Sequence, residues 1–337
     1  MRIAAAGDLV LMRPMAMLRS RPVDSLLACL EGSELVAANL EVPLTAVDRP
    51  VRPGLALRAG AELVDDLAGF GINVVTLANN HAGDQGWPAL RELAAALEAR
   101  DMTVVGVGED DAAAGAARVR SGVAWVGATC VAPTSFLALD GRPGMAGVPG
   151  TTDLEVDDER TAWEPGLPPA IRTAVDEAAA AGLEAAVRDA RSRAPFVAVL
   201  MHWGVSHVAR AERYQRDLAR RLVAAGAGVI FGAHAHVLQG VEVIEGVPVF
   251  YGLGSLLFHY EGAEAAIFPR EACLALVDVA EDRAVAARLV IGRLDGSGEP
   301  VRAHPERVTT VHEHLRRSAP RWGAELSQEG DELVLVF

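Results

Sequence analysis

Residues 229–236 read Val-Ile-Phe-Gly-Ala-His-Ala-His. A short β-branched and aromatic run stops abruptly at two histidines, the pattern of a buried strand that ends on polar side chains. The figure recurs along the chain. Gly7-Asp8 follows Arg2–Ala6, and Asn39-Leu40-Glu41 follows Leu35–Ala38. Asn79-Asn80-His81, with Asp84 three residues on, follows Val74–Leu77, and His202-Trp203-Gly204 follows Phe196–Met201. In layered α/β folds the carboxyl ends of strands line the ligand crevice, so these clusters are expected to converge on one spot.

Outward from these anchors, further strand-like runs lie at Thr103–Val107, Ala124–Ala128, Val241–Ile244, Val247–Tyr251 and Cys273–Val279. Between them, Ala61–Gly69, Pro88–Arg100 and Arg213–Ala225 carry apolar residues at helical spacing, and the alternation predicts an α/β fold. Glu245-Gly246 joins two late strands as a tight hairpin, which makes the sheet mixed rather than purely parallel. Asp140–Pro169 is rich in Gly, Pro, Thr and acid and reads as a long loop excursion, after which Ala170–Arg193 reads as helix. We expect residues 1–292 to form the main α/β domain. Residues 293–337 are then a C-terminal extension, with a polar helix near Pro305–Arg317 and a hairpin ending at Leu333–Phe337, packed on that domain.

Composition bounds the chemistry. With 45 acidic against 31 basic residues in 337, the net charge of −14 argues against a nucleic-acid partner. Every basic residue is arginine, so Schiff-base, P-loop and lysine general-base chemistry are excluded. Cys29, Cys130 and Cys273 form no C-x-x-C motif or disulfide framework, and a reducing cytoplasm fits them best. The run Ile3–Met12 is short and broken by Asp8, and reads as a first buried strand rather than a signal peptide or membrane anchor. The expectation is a cytoplasmic protein without an anchor.

The clusters together hold three carboxylates (Asp8, Glu41, Asp84), three carboxamides (Asn39, Asn79, Asn80) and four imidazoles (His81, His202, His234, His236). This mixture of oxygen and nitrogen donors suits Mn, Fe, Zn or Co rather than Ca. A lone Gly-Asp is commonly a turn and a lone histidine commonly a core residue; it is the ordered set that points to one or two divalent ions. His234 and His236 alternate, so on a strand they would share a face. The acidic chain must also offset its own repulsion of an anionic substrate, and Arg13 and Arg58 are the arginines near strand-end loops that suit a carboxylate or phosphate. His207 is an extra imidazole beside the HWG cluster and a further candidate for substrate contact.

The order GD, NLE, NNH-x-x-D-x-G, HWG, G-x-H-x-H resembles the bacterial capsule-synthesis family of CapA/PgsA type, associated with poly-γ-glutamate synthesis. That family lies within the calcineurin-like metallophosphoesterase group. The supporting stretches are LANNHAGDQG (77–86), MHWG (201–204), GAHAHVLQGVE (232–242) and PVFYGLGS (248–255), and the likeness spans about residues 1–260. The resemblance implies a calcineurin-like metallophosphatase sandwich of two mixed β-sheets flanked by helices, with metals at one sheet edge. It implies Asp8 and His236 on one metal, Asn80, His202 and His234 on a second, and Glu41 between them. His81 would protonate a leaving group, oriented by Asp84. The chain departs from the group where Val10 replaces the histidine of D-x-H, where Val205-Ser206-His207 follows HWG, and where Ser255 ends Leu253-Gly254-Ser255. The implied activity is hydrolysis of a phosphoester or amide in an anionic small molecule or peptide by metal-activated water. The alternatives are a ligase or transferase acting on γ-glutamyl-like carboxylates, for which no nucleotide-binding loop is visible, and a non-catalytic assembly factor.

Overall fold

The computed structural model describes residues 1–16, 26–52, 54, 56–259 and 270–337. The strands of its N-terminal half are β1 (Arg2–Val10), β2 (Leu35–Leu40), β3 (Val74–Thr76), β4 (Thr103–Val105), β5 (Val107–Gly108), β6 (Arg118–Arg120), β7 (Val123–Thr129), β8 (Gly144–Met145), β9 (Gly150–Glu155) and β10 (Ala170–Val175). Those that follow are β11 (Phe196–His202), β12 (Val229–Ala233), β13 (Val241–Ile244), β14 (Val247–Phe250), β15 (Ser255–Phe258), β16 (Glu271–Ala280), β17 (Arg283–Leu294), β18 (Pro300–Arg302), β19 (Leu326–Glu329) and β20 (Glu332–Leu335).

Two mixed sheets result. The larger runs β19-β20-β17-β16-β1-β2-β3-β4, with β15 added to β1 and β18 to β17; the smaller runs β13-β14-β12-β11-β7-β6. Strands β1 to β4 are parallel, whereas β16 is antiparallel to β1. In the second sheet β7, β11, β12 and β14 are parallel, and the Glu245-Gly246 hairpin adds β13 antiparallel.

Side-chain parity explains the nearly unbroken apolar runs. Ile3 and Ala5 of β1, Trp125 of β7 and Phe196, Ala198 and Leu200 of β11 meet between the sheets. The other parity of β1 and β2 packs beneath Leu90, Leu93 and Leu97 of the helix Trp87–Glu98. Val197, Val199 and Met201 of β11 pack under the helices Glu177–Arg193 and Arg213–Ala224. A strand covered on both faces needs apolar residues at every position, not at alternate ones. The sandwich of two mixed sheets flanked by helices is therefore as expected.

Two readings are corrected. Residues 140–169 are not structureless, since they hold β8, β9 and the short helix Asp158–Trp163. The helix expected from Ala170 begins only at Glu177, because Ile171, Thr173 and Val175 alternate along β10 and the Asp176 side chain accepts the Ala179 N–H as an N-cap. No helix among the described residues is long and apolar enough to cross a membrane. The three cysteines are free thiols.

Candidate metal centre

The site begins at an irregularity in β1. Residues 2–6 pair with β16, whereas Asp8–Val10 pair with β15, and the register against β2 also shifts before Asp8. At the changeover a Cβ on Gly7 would lie 1.9 Å from the Gly254 carbonyl oxygen, so the backbone approach itself demands glycine. Asp8 then donates its N–H to that same oxygen at 3.0 Å, and its wholly buried carboxylate faces the ends of β2 and β12. There it accepts Asn39 Nδ2 at 2.8 Å and the His234 N–H at 3.0 Å. Asn39 Oδ1 in turn accepts Asn79 Nδ2 at 3.0 Å, while Asn79 Oδ1 accepts the N–H groups of His81 and Ala82. The two carboxamides are thus a frame that links three strand ends.

On that frame the expected donors meet. Glu41 Oε1 lies 3.9 Å from His202 Nε2 and 3.8 Å from His236 Nε2. His202 Nε2 is also 2.8 Å from Asn80 Oδ1 and 3.1 Å from His234 Nδ1. His236 Nδ1 lies 3.3 Å from Asp8 Oδ2 and 3.0 Å from Ser255 Oγ. Two overlapping sets follow, Asp8–Glu41–His236 and Glu41–His202–His234, each with its donor atoms within 4.8 Å of one another. The histidine pair does not share a strand face as expected. β12 ends at Ala233, and His234 and His236 sit in the turn beyond it with φ of +92° and +55°. That left-handed backbone, costly for a side chain larger than glycine, brings both rings to the site.

The cluster gathers buried donors that could hold a cation. Among the described residues, both oxygens of Glu41 and Nδ1 of His202 are buried without a hydrogen-bond partner. Burial and the neighbouring Asp8 charge push the Glu41 carboxyl up to about 7. Burial also raises Asp8, but the hydrogen bond and charge of His236, with the other imidazoles, outweigh it and hold Asp8 at about 2. Burial lowers His202 well below the usual imidazole value and lowers His234 to about 4. His236 escapes the same penalty through Glu41 and Asp8, which raise it to about 9. An unpartnered buried carboxylate is costly, and a divalent cation would give its lone pairs and those of the imidazoles a common partner.

Beside this cluster, Asp84 is fully buried and accepts His81 Nδ1 and the Leu57 N–H, each at 2.7 Å. Its other oxygen takes Arg52 Nη2 at 3.3 Å; the same nitrogen donates to the Asn80 carbonyl at 3.0 Å, and the guanidinium lies over the Phe136 ring. Sequence reasoning misses Arg52, because nothing local distinguishes it from Arg49 or Arg58. The only signal for it is that a buried Asp84 needs a cation. Arg58 instead faces Asp48 at 3.5 Å on the surface, and Arg13 donates to the Ser297 carbonyl at 2.5 Å. His207, with φ of +64°, donates its N–H to the Ala235 carbonyl and has its ring 6.1 Å from that of His236. Its neighbour Ser206 brings Oγ within 3.5 Å of His234 Nε2.

A two-sheet α/β sandwich with carboxylates and imidazoles gathered at its strand ends is the class that fold and site define. Within it, the chain belongs to the bacterial capsule synthesis protein PGA_cap family, whose profile matches residues 2–260. The PGA biosynthesis protein CapA of Bacillus subtilis (strain 168) is 28% identical over 67% of this chain and 54% of its own length. A Mycobacterium tuberculosis protein named "Probable polyglutamine synthesis accessory protein" is 29% identical over 72% of this chain and 60% of its own. The chain thus spans between half and two thirds of the length of these relatives. The solved structure of TT1561 from Thermus thermophilus aligns over 81% of this chain and 92% of its own at 13% identity, with a TM-score of 0.39.

Proposed function

We propose that the protein is a metal-dependent hydrolase of CapA type, cleaving a phosphoester or amide bond of an anionic substrate in poly-glutamate or capsule metabolism. One observation carries this reading: Glu41 stands between two sets of imidazoles with both carboxylate oxygens buried and, among the described residues, without a hydrogen bond. Asp8, Glu41 and His236 would hold one ion; Glu41, Asn80, His202 and His234 would hold a second. When bound, such an ion polarises the scissile group and lowers the pKa of water.

The chain's own groups do the rest. Asn39 and Asn79 hold Asp8 in place. Asp84 fixes the His81 ring through Nδ1, which leaves Nε2 to pass a proton to the leaving group as the hydroxyl of water joins the phosphorus or carbonyl carbon. Arg52 balances the buried Asp84 charge and ties it to the Asn80 backbone. Arg13, Arg58 and His207 are the candidates for gripping the substrate's anion. The free cysteines support a reducing, cytoplasmic setting.

The word "accessory" in the name of the mycobacterial relative favours a second reading, a metal-stabilised partner in polymer assembly without turnover. Metal analysis combined with assay on bis(p-nitrophenyl) phosphate and γ-glutamyl-p-nitroanilide decides between them. The hydrolase reading expects bound Mn, Fe, Zn or Co and turnover that Glu41→Gln abolishes. Bound metal without turnover of either compound favours the accessory role. Absence of metal after divalent supplementation overturns both.

A further inference from the structure

A second charged feature lies away from the strand-end cluster. Strand β9 is exposed along its whole length, and β10 pairs with it on one edge only; among the described residues no strand covers the other edge of β10. Between β10 and the helix Arg213–Ala224 is a cleft of about 480 Å³. Four consecutive β10 residues, 170–173, line one wall. Successive strand residues point to opposite faces, so a wall that takes in four consecutive ones includes the strand's free edge, with Glu155 of β9, the partner of Ala170, at its end.

The opposite wall is cationic. Arg210, Arg213 and Arg216 stand there, with Arg172 contributed by β10, against Glu155 and Glu212. The lining thus holds four arginines against two glutamates, and carboxylates beside it take up two of the four. Arg213 pairs with Asp217 and Arg216 with Glu242, each at 3.4 Å. Arg172 and Arg210 are exposed and form no ion pair among the described residues, although Asp153 is the cross-strand neighbour of Arg172. An open strand edge beside uncommitted guanidinium groups matches a ligand with an extended backbone and repeated carboxylates.

We propose that this cleft binds an extended polycarboxylate chain, its amides pairing with the free edge of β10 and its carboxylates with Arg172 and Arg210. The proposal takes the acidic polymer from the reading above but none of the metal chemistry. The loop that carries Arg210 begins at His202, so a chain held here would run beside the metal centre's own loop.

The test is fluorescence anisotropy of a labelled γ-linked oligoglutamate with the full chain, in the presence of chelator. Arg172→Glu/Arg210→Glu should bind at least about ten-fold more weakly, while Arg91→Glu/Arg317→Glu, an equal charge change at exposed sites, should stay within about two-fold of wild type. Circular dichroism and melting establish that both double variants are folded. Glu41→Gln should bind as wild type, which separates this site from the hydrolytic one. Failure of the wild type to bind, equal losses in both double variants, or loss in Glu41→Gln with retention in Arg172→Glu/Arg210→Glu would each overturn the proposal. Inorganic polyphosphate binding more tightly with the same dependence on the two arginines would overturn the carboxylate assignment.

Discussion

His81 Nδ1 and Asp84 Oδ2 stand 2.7 Å apart, the carboxylate fully buried and the imidazole partly open to solvent. A ring anchored at one nitrogen presents the other outward in a fixed orientation. His81→Ala should therefore keep its metal and lose roughly 10²–10⁴-fold in turnover, the usual worth of a positioned acid. Loss of metal in step with activity would make His81 a ligand instead.

Glu41→Gln separates binding from folding. The Glu41 carboxylate accepts no hydrogen bond among the described residues, and its burial outweighs the attraction of His236, so removing its charge relieves a desolvation cost and the chelated variant should melt no lower than chelated wild type. Added Mn or Zn should raise the melting temperature of wild type and leave the variant unmoved. Equal metal-dependent shifts in both proteins would remove Glu41 from the ligand set.

Arg52 and Arg58 should behave differently. Arg52 bridges Asp84 and the Asn80 carbonyl, so Arg52→Met should lower kcat about ten-fold with metal retained, as expected for a lost charge-assisted contact. Arg58→Ala breaks an exposed pair with Asp48, worth about 0–1 kcal/mol. A fall in turnover there, without a change in melting, would report contact with substrate.

Gly7→Ala tests the strand changeover. Its new methyl would sit 1.9 Å from the Gly254 oxygen, a backbone atom that cannot swing aside, so a loss of about 3 kcal/mol or more in denaturant unfolding is expected, with weaker metal binding through Asp8. Gly115→Ala, which meets nothing within 4 Å, should change stability by about 0.5 kcal/mol at most.

His259 sets an acid limit. It is 5% exposed with Nε2 3.8 Å from Glu299 Oε1, and burial, reinforced by the charge of Arg13, lowers it to about 4 against Asp295, a hydrogen bond with the Arg13 backbone, and Asp66. The unfolded chain, with an ordinary imidazole, binds the proton first. Stability is therefore complete above about pH 6.5 and declines as pH falls through about 4, by at most about 3 kcal/mol. The unfolding free energy of wild type relative to His259→Leu should fall as pH falls across that range. Parallel curves would mean that His259 does not carry the proton.

The strands are legible in the sequence because double burial writes itself as continuous apolar residues: Phe196–Met201 and Val241–Ile244 fall within or on their observed bounds. The ligand cluster is legible because strand ends must aim polar side chains into a shared crevice. β10 is hidden, since Ala170–Val175 runs into an alanine-rich helix and only the Asp176 cap marks the break. The approach of His234 and His236 does not follow from strand alternation, because positive φ at a histidine leaves no mark in composition. The role of Arg52 depends on an Asp84 partner 32 residues away, a pairing that only the fold creates.

The place of β1 has a consequence for how the protein is made. Its partners are β2, beginning at Leu35, and β15 and β16, ending at Ala280. At a synthesis rate of about 5–20 residues per second, the first strand waits roughly 15–50 s for β16 to leave the ribosome. During that interval the strand at the heart of the larger sheet has an open apolar edge, and Asp8 must wait for His202, His234 and His236 to be made before its imidazole partners exist. An ion shared by Asp8 and His236 could therefore be taken up only late in the life of the nascent chain, after the turn beyond β12 has been made.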